Sequence, residues 1–185
     1  NSVIAYHSMK QNNWFDPFFI LENLSAEEKL IQKNVRDFSN NVLSPIVVND
    51  NRDHNFDRGL YSEFGRLGLL GSTVKNHRGA GASSAAYGLI AYEIEKIDSS
   101  YRSSISVQSS LVIHPINSFG SESQKDKYLP DLISGNKIGC FGLTESEAGS
   151  DPSSMKTTYK ENQNGFVLNG SKNWITNAPI ADIFI

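Results

Sequence analysis

Ser134-Gly135-Asn136-Lys137-Ile138-Gly139-Cys140-Phe141-Gly142-Leu143-Thr144 is the stretch on which the fold turns. Before it, apolar residues recur at helical spacing. After Lys137 they come in short runs bounded by Gly, Asn and Ser, the pattern of strands. Gly135-Asn136 is the stop signal between the two, because glycine readily takes the left-handed conformation that ends a helix. The expected class is α+β: an all-helical domain over residues 15–136, then the opening strands of a β domain over residues 137–185. Residues 1–14 form a leader or tail with no assigned structure.

On the helical side, Leu24, Ile31, Val35, Phe38 and Val42 fall on one face. Ser25 and Glu28 make a capping box at its start and Pro45 closes it. Leu60 to Leu70 is a shorter helical piece broken into a turn by Gly65, Gly68 and Gly71. Tyr87, Ile90, Ile94 and Ile97 give a second stripe that ends at Asp98-Ser99-Ser100. Ser104 to Phe119 is apolar on most sides and reads as a central helix disturbed at His114-Pro115. Ser123 to Ser134 is amphipathic.

On the strand side, Ile138 to Leu143 and Met155 to Lys160 are strand-like. Gly165 to Thr176 reads as a hairpin about Asn169-Gly170. Ile183-Phe184-Ile185 looks like a strand as it begins. A few strands with an open apolar edge do not close a sheet core, so a longer chain is expected.

Composition narrows the function classes. The 185 residues carry a net charge of -3, with 38% hydrophobic and 20% charged residues, a mixture that suits a soluble core. Neither nucleic acid nor a membrane span is expected. The single cysteine, Cys140, rules out an internal disulfide and reads as inert packing. His7, His54, His77 and His114 lack metal-ligand spacing. Gly79-Ala80-Gly81 does not extend to a dinucleotide fingerprint, and the two S-x-x-K matches lack the partners a penicillin-recognising hydrolase needs.

Gly142-Leu143-Thr144-Glu145-Ser146-Glu147-Ala148-Gly149-Ser150-Asp151-Pro152-Ser153-Ser154 carries the strongest chemical signal. A strand running into small residues lets backbone N–H groups approach a polar or anionic ligand. On composition alone, an ordinary Ser/Gly turn before a helix cap is the commoner meaning. However, the segment resembles, position by position, the signature of the acyl-CoA dehydrogenases. Three further stretches resemble the same family: Phe64 to Gly71, Ser121 to Gly135, and Gly165 to Asn177 with its Trp174-Ile175-Thr176 triplet.

The resemblance implies FAD as cofactor. It implies that Phe141, Leu143 and Thr144 line the flavin, and that Gly149 and Ser150 sit by its diphosphate and by the CoA thioester arm. It places Trp174 and Ile175 against the isoalloxazine, with Thr176 near N5. Tyr101-Arg102-Ser103 and the following Ser106 to Pro115 resemble the glutaryl-CoA dehydrogenase subgroup, which implies that Arg102 and Ser103 meet a distal carboxylate with Glu95 behind the guanidinium. By itself such an arginine is more often a snorkelling or helix-packing residue. A carboxylate brought into a dry pocket does need a paired cation of fork geometry. Ser100 and Ser146 depart from residues common in the subgroup, Gly and Pro.

The implied reaction is flavin-dependent α,β-dehydrogenation of an acyl-CoA. Glutaryl-CoA is the favoured substrate, with loss of CO2 to give crotonyl-CoA. A short-chain or non-decarboxylating enzyme, or a non-catalytic fragment, is the alternative. The family's basic glutamate is expected beyond these residues, so no catalytic residue is assigned. Electron-transfer flavoprotein as acceptor, a homotetramer, and a mitochondrial-matrix or bacterial-cytoplasmic setting are further implications.

Overall fold

A computed structural model describes residues 16–185; the 1–14 leader and Phe15 lie outside the described residues. Helix α1 (Ala26–Phe38) starts at the expected capping box, in which the Ser25 hydroxyl accepts from Glu28 N at 3.1 Å and Glu28 accepts from Ser25 N at 2.9 Å. It runs into a π turn, Ser39–Leu43, which inserts one extra residue per turn. That insertion advances the apolar face. Leu43 is fully buried and Val42 is exposed, so the expected place of Val42 in the stripe is corrected. Pro45 does end this segment, but a further helix that the periodicity did not show, α2 (Val47–Asp53), follows it.

Helix α3 (Leu60–Arg66) puts Tyr61 and Phe64 into the core. Helix α4 (Ser84–Glu95) buries Ile90 and Ile94 against α1. The α1–α4 contact also holds a buried Glu93 carboxylate. It accepts from Gln32 Nε2 (2.8 Å) and from Arg36 (2.8 and 3.2 Å), with Lys96 at 3.4 Å. Burial alone would raise its pKa, but Arg36 and Gln32 outweigh that and hold it below the ordinary value.

The central helix is one rod in three parts: α5 (Ser99–Ser106), a second π turn (Val107–Ile113) and α6 (His114–Phe119). The disturbance expected at His114-Pro115 is thus a widening of the turn immediately before it. Helix α7 (Glu122–Ser134) ends on Gly135, whose φ of 77° is left-handed. A Cβ there would lie 1.9 Å from Tyr61 O, so only glycine lets α3 and the end of α7 touch through their backbones.

After Gly135 the chain turns to strands. β1 (Gly139–Cys140) pairs in parallel with β4 (Ile183–Phe184), and β2 (Thr158–Asn162) pairs antiparallel with β3 (Gly165–Asn169). The hairpin closes over Gln163-Asn164, with Asn162 opposite Gly165, and not over Asn169-Gly170 as the dipeptide suggested. Gly170 serves a different purpose, because a Cβ there would lie 2.1 Å from Thr157 Oγ1. Lys172 to Thr176 is irregular where a strand was expected.

Candidate functional site

The Leu143–Ser150 loop leaves the end of β1, which is fixed when Gly142 N donates to Ile185 O (2.7 Å) and Ile185 N to Cys140 O (2.9 Å). One carboxylate ties the loop down. Glu145 accepts from Lys172 Nζ (2.8 Å), Thr157 N (3.0 Å) and Lys156 N (2.6 Å), and its backbone closes on Ala148 in both directions. Lys172 Nζ also donates to Leu143 O at 3.0 Å, Asn173 N to Thr144 O at 2.9 Å, and Asn173 Nδ2 to Ser146 Oγ at 3.0 Å. Leu143 and Thr144 are therefore held directly beside the residues that lead into Trp174.

The Lys172 ammonium, followed by the Lys156 and Thr157 partners, pulls the Glu145 carboxyl down to about 2. A carboxylate so saturated is a brace and not a proton acceptor. Because its pKa in the folded chain is depressed, the contribution is complete above the ordinary value of 4.5 and is lost as pH falls toward about 2. The Glu145 carboxyl carbon should therefore titrate by NMR near pH 2, with the Lys156 and Thr157 amide shifts following it. A midpoint near 4.5 would disprove the brace.

Trp174 has a φ of 60° and is 92% exposed, so it is not the core residue of a hairpin. Left-handed backbone at a bulky residue costs free energy and commonly marks a functional position. Thr176 is exposed and Ile175 is half-buried beside it. Phe141 is half-buried at the loop's start. Gly149 and Ser150 are exposed, and a Cβ at Gly149 would meet nothing within 4 Å. Among the described hydrogen bonds, the amides of Gly149 and Ser150 and the Thr176 hydroxyl have no protein partner. An open aromatic face, a free hydroxyl and approachable amides suit a planar ring system that carries a diphosphate.

A second group forms at the α4–α5 corner. Asp98 caps α5 by accepting from Ser100 N (2.7 Å), which turns the chain sharply after α4. The turn brings Arg102 back onto Glu95, Nε to Oε2 at 2.5 Å, while Ser99 Oγ donates to Glu95 Oε1 at 2.7 Å. Arg102 and, less strongly, Ser99 keep the Glu95 carboxyl below its ordinary pKa. Arg102 and Glu95 line a shallow concavity of about 410 Å³ floored by Gly88, Ala91 and Tyr92. Only Nε of the guanidinium is bonded, so its outer nitrogens are left for another acceptor. Ser103, half-buried, follows on the same helix.

No hydrogen bond or ion pair joins Arg102 or Ser103 directly to the 141–150 loop or to Trp174–Thr176 among the described residues. The link is indirect, through Ser104, Gln108 and Asn177, all buried and none anticipated as functional. Ser104 and Gln108 share the inward face of the central helix with Tyr101, Ile105 and Val112. Polar residues at core positions of an apolar stripe are the signal that could have revealed them. No cluster of three or more His, Cys, Asp or Glu that could hold a metal occurs among the described residues.

Residues 25–136 match the model of the acyl-CoA dehydrogenase N-terminal domain, and residues 140–185 match that of the middle domain. The chain belongs to the acyl-CoA dehydrogenase family. An acyl-CoA dehydrogenase of Bacillus subtilis is 38% identical over 164 residues, covering 88% of this chain and 43% of the relative. The mitochondrial short-chain-specific enzyme of mouse is 37% identical over 156 residues, covering 84% of this chain and 38% of its own. Among solved structures, glutaryl-CoA dehydrogenase from Mycobacterium smegmatis superposes with a TM-score of 0.88 at 44% identity, over 92% of this chain and 44% of that one. A structure of a glutaryl-CoA dehydrogenase from the same organism in complex with FADH2 also gives 0.88, at 40% identity over 90% of this chain and 43% of that one. The chain thus spans less than half the length of these acyl-CoA dehydrogenases.

Proposed function

We propose that this chain supplies the flavin-facing and acyl-facing surfaces of an FAD-dependent glutaryl-CoA dehydrogenase, which converts glutaryl-CoA to crotonyl-CoA and CO2. The observation that carries the substrate choice is Arg102, braced by Glu95 at the edge of a concavity that Gly88, Ala91, Tyr92 and Lys96 also line. An acyl chain ending in a methyl group has no use for a guanidinium, whereas a distal carboxylate needs one when it leaves water. The similarity to glutaryl-CoA dehydrogenase structures supports the same reading.

In this reading Trp174 and Ile175 bear on the isoalloxazine and the Thr176 hydroxyl orients it near N5. Phe141, Leu143 and Thr144 border the ring, and the Gly149 and Ser150 amides face the diphosphate and the thioester arm. FAD, when bound, supplies the two-electron oxidation by accepting the β-hydride. Arg102 and Ser103 anchor the far end of the acyl chain, which fixes how deep its reacting carbons sit. Glu95 holds the guanidinium in orientation. The α-proton is assigned to the family's basic glutamate, which the resemblance places outside these residues; Glu145, engaged by Lys172, Lys156 and Thr157, is not that base. Electron-transfer flavoprotein as acceptor and a homotetrameric assembly complete the proposal, both resting on the family resemblance.

The test is anaerobic mixing of the full-length protein with glutaryl-CoA and, separately, butyryl-CoA. Glutaryl-CoA should bleach the visible flavin band and release CO2, with the higher kcat/KM of the two. Preference for butyryl-CoA would move the assignment to the short-chain enzymes.

A further inference from the structure

Asn177 follows the Trp174-Ile175-Thr176 triplet and is buried, with a left-handed backbone at φ 72°. Its carboxamide oxygen accepts from Ser104 Oγ at 2.9 Å. Its Nδ2 donates to Ser104 O (3.4 Å) and to Gly139 O (3.2 Å). Ser104 is the residue after Ser103, and its hydroxyl also meets Tyr61 OH at 2.7 Å. Gly139 belongs to β1, two residues before Phe141. One side chain therefore joins the helix bearing Arg102, the strand that feeds the 141–150 loop, and the turn bearing Trp174 and Thr176.

We propose that Asn177 is a positioning residue that sets the register between the acyl-anchoring helix and the flavin-facing turn. This inference rests on the function proposed above. Asparagine suits the position on two grounds: it tolerates the left-handed region better than most side chains, and its amide offers a donor and an acceptor at once. Because Ser104 and Gly139 are fixed in the core, the clamp transmits their positions to Thr176 one residue away. A hydride moves only when its donor carbon and the accepting atom are aligned, and a misplacement of about 1 Å can lower the rate on the order of 100-fold.

The experiment uses the full-length, flavin-loaded protein. Asn177→Gly removes the carboxamide but keeps the left-handed turn accessible, and Ser104→Ala removes the partner from the opposite side. Either should lower kcat about tenfold or more while KM for glutaryl-CoA stays within about threefold, the split expected when alignment and not ground-state binding is lost. The double variant should be no worse than the more damaged single one, as for two residues acting as a unit. Val35→Ala, in the α1 core, is the control for destabilisation alone; its melting temperature should fall while kcat holds.

If the Asn177 and Ser104 variants lose melting temperature with kcat unchanged, as the control does, the clamp is only structural and the proposal is overturned. Should Asn177→Gly fail to fold, Ser104→Ala decides by the same criteria. Failure of the underlying enzyme assignment looks different, since the unmodified protein itself would then show no bleaching with any acyl-CoA.

Discussion

Arg102→Leu should lower kcat/KM for glutaryl-CoA by about 30- to 1000-fold and leave butyryl-CoA within a few-fold. The range follows from removing one partner of a desolvated, hydrogen-bonded charge pair, which costs roughly 2–4 kcal/mol. Leucine preserves much of the apolar stem, so the loss reports the guanidinium and not a collapsed wall. Glu95 would lose its main partner in the same variant. At a carboxylate this exposed, the consequence is a freer side chain and not an uncompensated buried charge. Arg102→Lys is the discriminating companion. It keeps the charge but not the fork, so recovery of only part of the activity would show that geometry matters as well as sign. Steady-state kinetics on the two substrates settles it, and equal losses on both would sink the substrate assignment.

Gln108→Leu should destabilise the fold by about 2–5 kcal/mol. Gln108 is completely buried in the second π turn. Its Nε2 donates to Leu132 O and Lys137 O, both at 2.9 Å, and its Oε1 accepts from Gly139 N at 2.8 Å. Leu132 O keeps a second donor in Gly135 N at 3.4 Å, but Gly139 N would be orphaned in the core and Lys137 O would lose its partner at a half-buried position. Each buried group left without a partner costs about 1–3 kcal/mol, and leucine cannot satisfy either one. For a domain of this size the midpoint should drop by roughly 10 °C, readable by calorimetry or circular dichroism. A shift under about 2 °C would mean that water replaces the amide and that the staple between the central helix and β1 is dispensable.

The two predictions separate what was visible in the chain from what was not. Arg102 and Glu95 stand out through the resemblance of Tyr101-Arg102-Ser103 and the residues around it to the glutaryl-CoA dehydrogenase subgroup; by itself such an arginine reads as a snorkelling or helix-packing residue. Their contact, however, depends on the Asp98 cap reversing the chain between them. Gln108 lies in the same run, yet its three partners sit 24 to 31 residues away, and no local pattern announces them.

The existence of every α-helix but α2, the Ser25 capping box, the glycine stop at Gly135 and the switch to strands after Lys137 are local matters. They follow from periodicity, side-chain caps and backbone sterics within a few residues, so the sequence by itself determines them. The chemical character of the Gly142–Ser154 loop and of Trp174-Ile175-Thr176 comes from their position-by-position resemblance to the acyl-CoA dehydrogenase signature, since composition alone favours an ordinary Ser/Gly turn and a packed tryptophan. Tertiary packing decided the rest. The π turns shift which residue faces inward, so that Leu43 is buried in place of Val42, because an i→i+5 bond changes the helical period that the pattern assumes. Gly170 is needed for close approach to Thr157, which left the hairpin to close at Gln163-Asn164. Glu145 became a brace only when Lys172 folded onto it. Asn177 acquired Ser104 as a partner across 73 residues and Gly139 across 38, in a dry core where an unpaired amide is too costly to persist.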